Sequence, residues 1–174
     1  NFSNSYFLYT NKEHYIYYVN KQTHQIGFHP LGIAAQKQPK TETTSEDIRL
    51  PQSILKQRRH QSSDLIHIVE RNALPLFNQM FARTDSRLIL TDIEGVILAS
   101  WGQERFKEKL TSIALSSGAC WQEQLKGTNA IGTAIVEAKP VTIIGEQHFI
   151  HQHRFISCSA SPVFNHQGQM VGVL

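Results

Sequence analysis

The stretch Gly118–Ile135, "GACWQEQLKGTNAIGTAI", decides how the rest of the chain is read. Gly127 and Gly132 stand five residues apart with Thr128 and Asn129 between them. Glycines at a helix start raise the question of a phosphate cradle. The spacing excludes the two standard ones. No Lys-Ser/Thr pair follows Gly132, and the two glycines do not fit G-x-G-x-x-G. A bare helix N-terminus still attracts anions, so a nucleotide-type site stays open. A packing reading uses more of the residues. Gly127 lets the chain turn, the side chain of Thr128 or Asn129 caps a helix, and Gly132 lets that helix approach a sheet closely. Ile131, Ala134 and Ile135 then face inward.

Upstream, Asp85–Ser100 ("DSRLILTDIEGVILAS") alternates apolar and polar residues on either side of Glu94-Gly95, a β-hairpin. "ERFKEKLTSIAL" (104–115) puts Phe106, Leu110, Ile113 and Ala114 on one helical face. Farther back, Ile54, Leu55, Leu65, Ile66, Val69, Leu74, Phe77 and Met80 recur at helical spacing, with Pro75 predicted to end or kink the run. Within residues 1–34, "YFLYTNKEHYIYYVNKQ" reads equally as strand or helix, with Gly27 and Pro30 as breakers after it, and 35–49 reads as a polar linker or loop.

Downstream, "PVTIIG" predicts a strand, "EQHFIHQH" a polar connection, "RFISCSASPVFN" one strand and "QMVGVL" a returning strand. The order predicts an α+β domain, an antiparallel sheet with helices packed on it. A sheet edge at Leu174 and a first residue other than Met lead us to expect a fragment of a longer chain.

Composition narrows the function. The chain has 174 residues, 40% of them hydrophobic and 18% charged, which fits a folded globular protein. Its charge of +3 splits into +4 over residues 1–60 (eight Lys/Arg, four Asp/Glu) and −1 over 61–174 (nine and ten). The near-neutral part argues against a nucleic-acid groove, which needs a concentrated basic face. The cluster Lys56, Arg58, Arg59, His60 reads as a solvated helix start. No apolar run is long enough for a spanning helix, and no signal peptide is visible. Cys120 and Cys158 form no disulfide framework and no C-x-x-C, so a cytoplasmic location is expected.

In "HFIHQHR", His148, His151 and His153 have a spacing that does not fix a tetrahedral metal site, and no metal or cofactor is expected. His148 and His153 are better placed to pin a loop or line a cavity. In the strand from Phe155, Ser157, Ser159 and Ser161 share one face, and Ile156, Cys158, Ala160 and Pro162 the other. Small residues on both faces leave room for a packed helix or for a ligand cavity.

Together, Trp121, Glu123, the Gly127–Thr133 run, His148, Phe149, His153 and the Ser157–Ala160 run resemble the GAF sensor domain of bacterial sigma-54-dependent transcriptional activators of the acetoin- and glycerol-metabolism type. The resemblance covers about residues 88–174. It implies a signal-input module that binds a small-molecule effector or a regulatory protein. It also implies a homodimer, and DNA, ATP and sigma-factor contact only through domains this chain lacks, for it carries no P-loop.

The expected layout is an N-terminal extension and linker over 1–49, a helical connector or dimerisation segment over 50–82, and a GAF-like domain over 83–174, truncated at its C-terminal end. Candidate ligand-binding residues are Trp121, His148, Phe149, His153, Ser157, Cys158 and Ser159; Gly127, Thr128, Asn129 and Gly132 are structural. The competing readings are a redox or hydrolytic enzyme using Cys158 with His148 or His153, and a purely structural dimerisation module.

Overall fold

A computed structural model describes residues 47–174 in full and, ahead of them, the backbone of three strands: β1 (Ser5–Tyr9), β2 (Tyr15–Asn20) and β3 (Ile26–Pro30). These pair antiparallel in the order β1-β2-β3. The ambiguous N-terminal pattern therefore resolves as strand. Most of the expected 35–49 linker lies outside the described residues.

The helical run begins after Pro51, whose fixed φ and missing N–H suit a helix entry. Helices α1 (Gln52–Gln61) and α2 (Ser63–Ile68) are joined through Ser62. A π-helical turn, Val69–Ala73, then leads into α3 (Leu74–Phe81). Pro75 sits in the first turn of α3, where its absent donor leaves no bond broken. The kink expected at Pro75 is thus a widened turn just before it. Ile66, Val69, Ala73, Phe77 and Phe81 pack against Leu88, Leu90 and Leu98 of the sheet. Ile54, expected in that stripe, is 40% exposed instead.

The hairpin forms as expected: β4 (Arg87–Thr91) and β5 (Ile97–Gly102) are antiparallel. Asp92 closes its turn, with its carboxylate accepting from the Glu94 and Val96 amides. Helix α4 (Glu104–Thr111) stops a turn earlier than its periodicity suggested. The chain then folds back through Ala114 in the left-handed region (φ +58), so Ile113, Ala114 and Leu115 are buried by a turn, not by a helical face. A short helix, α5 (Glu123–Lys126), precedes α6 (Ala130–Glu137).

Strand β6 (Val141–Ile144) pairs with β7 (Ser157–Ala160), while β8 (Pro162–Phe164) pairs with β9 (Met170–Val173). The single strand expected from Phe155 therefore breaks at Ser161, and its face alternation ends there. The larger sheet runs β5-β4-β9-β8, and β4 meets β9 at the one pair Thr91–Val173. Gly172 permits that approach, since a Cβ there would lie 2.4 Å from the Thr91 carbonyl oxygen. The result is an antiparallel sheet with helices packed on it. Among the described residues no helix is long and apolar enough to cross a membrane.

Candidate functional site

The turn into α6 shows why the 127–133 run has its sequence. Gly127 takes φ +60, ψ −161, a region reserved for glycine, and a Cβ there would lie 2.4 Å from the Phe149 ring. Asn129, not Thr128, is the cap: its Oδ1 accepts from the Gly132 amide at 2.8 Å, and its Nδ2 donates to the Gly127 carbonyl at 2.8 Å. Thr128 instead offers its carbonyl to the Phe149 amide. Gly132 is needed for a close approach, but to a different element. A Cβ there would meet the Glu123 nitrogen at 2.5 Å and the Trp121 oxygen at 2.8 Å, so Gly132 faces the Trp121–Glu123 turn, while α6 packs on the strands through Ala130 and Ala134.

This anchoring fixes Trp121, which is 1% exposed. Its indole N–H donates to the Ala114 carbonyl at 2.9 Å, presented by the left-handed turn. One ring face stacks on His153, with centroids 4.6 Å apart and planes 28° from parallel. The Lys126 ammonium lies 5.7 Å from the indole centroid and pairs with Asp47. Lys126 is fully buried and was not singled out by the sequence. An ammonium can be buried when a carboxylate and an aromatic face replace its water.

The connection expected to be polar holds two buried histidines, His148 directly after the 3₁₀ turn Gly145–Gln147 and His153 within the 3₁₀ turn His151–His153. His148 Nδ1 lies 3.0 Å from the Gly145 carbonyl oxygen, which can only accept, so Nδ1 carries the proton and Nε2 is a bare acceptor. Nε2 of His148 and Nδ1 of His153 have no hydrogen-bond partner among the described residues. The two rings meet edge to face at 6.4 Å. Burial pushes both imidazoles toward the neutral form, His153 to about 4, assisted by His148 and Lys126. His151 is exposed and takes no part.

A cavity of about 190 Å³ opens beside these groups. Trp121, His148, Ser157, Cys158 and Ser159 line it, with Asn129 and Ala130 at the head of α6. His153 supports the wall from behind Trp121, and Phe149 packs on Gly127; neither lines the cavity. The Ser159 hydroxyl is engaged by Thr142 across β6–β7. Burial pushes the Cys158 thiol up to about 12. Ile89, Leu110 and Ile156 supply apolar wall, and Arg87 and Phe155 stand at the rim. Where β4 and β9 part below Thr91–Val173, the cavity also reaches Phe77 and Leu174.

Comparison with known proteins agrees with this architecture. Residues 74–174 match the GAF domain family. The chain is 37% identical over 101 residues to the acetoin dehydrogenase operon transcriptional activator AcoR of Bacillus subtilis, covering 58% of this chain and 16% of that protein. It is 30% identical to the acetoin catabolism regulatory protein of Cupriavidus necator, covering 72% of this chain and 19% of that one. The chain thus spans less than a fifth of these two relatives' length. Among solved structures, the E. coli DhaR(N)–DhaL complex contains a chain with the same fold. Its TM-score is 0.72 at 19% identity, covering 77% of this chain and 45% of that one. The chain belongs to the GAF domain family.

Proposed function

We propose that this GAF-family chain is the signal-input domain of a bacterial transcriptional activator and that the Trp121 cavity receives its effector. The observation that carries the reading is the cavity itself. It is walled by an indole held by its N–H bond to Ala114 and by His153 on one face, and by a buried neutral imidazole with an unused acceptor. Trp121, His148, Ser157, Cys158 and Ser159 would contact the effector, while Phe149 and His153 would hold the wall. Relatives named as an acetoin dehydrogenase operon transcriptional activator and as an acetoin catabolism regulatory protein support the regulatory role. On the same ground we propose a cytoplasmic protein working through sigma-54 and a homodimer. The 50–82 helices would be the relay to the output domains, after an extension over 1–49 and before the sensor over 83–174.

The enzyme reading is disfavoured by chemistry. A thiol pushed up to about 12 is protonated near neutrality, and no hydrogen bond joins it to His148 or His153 among the described residues. A protein effector is the second reading, supported by the neighbour whose structure was solved as a complex with DhaL.

Calorimetry and thermal unfolding of the chain with small hydroxy- and keto-metabolites test the cavity reading. Saturable binding should raise the apparent stability by about 2.7 kcal/mol at a hundredfold excess over Kd. A panel without one saturable binder would sink it and leave the protein-effector reading in place.

A further inference from the structure

Arg87 is a charge that the fold has positioned without neutralising. It shares a face of β4 with Ile89, the face turned toward the cavity, and it lines the rim. Its guanidinium is held rigidly. Nε donates to Ser100 Oγ at 2.9 Å and Nη2 to the Ser100 carbonyl at 3.2 Å. Nη1 donates to the Gly102 and Gln103 carbonyls at 3.3 and 3.0 Å. All four acceptors are neutral. A guanidinium has five N–H donors, so one on Nη2 is left over. The neighbouring carboxylates are committed elsewhere: Asp85 pairs with Arg105 and Glu104 with Lys107. Glu104 reaches Arg87 only through its field, and burial outweighs it, holding the arginine below its usual value. Among the described residues Arg87 forms no ion pair. A half-buried cation with fixed geometry and one spare donor favours an anion over a neutral group, and a single carboxylate oxygen can accept that donor.

Resting on the effector-cavity reading above, we infer that the cavity selects a small monocarboxylate, with the carboxylate at Arg87 and the apolar body against Ile89, Leu110 and Ile156. The cavity of about 190 Å³ limits that body to a few carbons. The neutral His148 Nε2 deeper in the wall gives no second cation, so a single acidic head is favoured over a dianion.

The test uses matched pairs: straight and branched monocarboxylates of about three to six carbons, each against its nearly isosteric amide. Binding to the chain is followed by calorimetry and by the fluorescence of Trp121 in a Trp101→Phe background, so that only cavity occupancy is read. We expect at least one acid to bind more than about tenfold tighter than its amide, with the preference weakened by added salt. Arg87→Gln should abolish that preference, Arg87→Lys should keep part of it, and the exposed Arg71→Gln, away from the cavity lining, should leave it intact. Amides that bind as well as their acids, or a preference that survives Arg87→Gln, overturn the carboxylate inference and leave the cavity standing. Silence from both members of every pair overturns it as well. Failure of the hydroxy- and keto-metabolite panel alongside that silence removes the effector reading too.

Discussion

Leu88 and Leu90 on one face of β4 meet Ile66, Val69, Phe77 and Phe81 in an apolar layer that the cavity touches at Leu88 and Phe77, whereas Arg87 and Ile89 on the other face line the cavity itself. The same five-residue strand thus serves two purposes, and the period-2 geometry of a strand keeps them apart. The open face holds polar groups that packing alone does not call for. Folding strength and sensing can therefore vary independently, provided substitutions stay on one side of the sheet.

Leu90→Ala against Ile89→Ala is the most direct way to break that comparison. Leu90 is fully buried, so its truncation should cost about 2–5 kcal/mol, while Ile89, already beside open space, should cost about half as much. Equal losses in urea unfolding would mean that the cavity face packs as tightly as the other. The next largest effect is expected at Gly127→Ala, where backbone strain and the Phe149 clash together should cost about 2–4 kcal/mol. A milder loss would mean that Phe149 swings aside, which a shifted Phe149 ring signal in NMR would reveal. Asn129→Ala removes the α6 cap and should lower stability by about 1–2 kcal/mol, whereas Thr128→Ala should change it less. The reverse ranking in thermal unfolding would reassign the cap.

The smallest effect near neutrality concerns pH. His148 and His153 are held below the ordinary value of about 6.5, His153 at about 4. The unfolded chain therefore binds more protons than the folded one in this window. Stability should be fully present above about 6.5 and fall as the pH drops toward about 4. His153→Gln should flatten the slope. A wild-type profile already flat between those limits would show that the imidazoles charge freely in place.

Much of this frame was legible in the residues. The hairpin announced itself through alternation around Glu94-Gly95, and the α6 start through an Asx/Thr pair ahead of an apolar run. What stayed hidden depends on tertiary context. The end of α4 was masked because Ile113, Ala114 and Leu115 continue its apolar pattern although the chain turns back at Ala114. The break at Ser161 was masked because small residues run unbroken across it. The π-helical turn at Val69–Ala73 left no trace in a spacing that tolerates one extra residue. Lys126 was not singled out in the sequence, since its burial depends on Trp121 and on Asp47, 79 residues away. Arg87 drew no notice in the sequence either, because the acceptors that hold it, Ser100, Gly102 and Gln103, are brought to it only by the hairpin pairing.

The single rung at Thr91–Val173 has a mechanical consequence. Two leaves, one carrying β5-β4 with the helices and the other β9-β8, are joined by one ladder contact with Gly172 at the joint. The angle between such leaves is governed less by backbone bonding than by what lies between them. Leu65 against Gly172 and Leu174 within the helical layer are the side chains that bear on that angle.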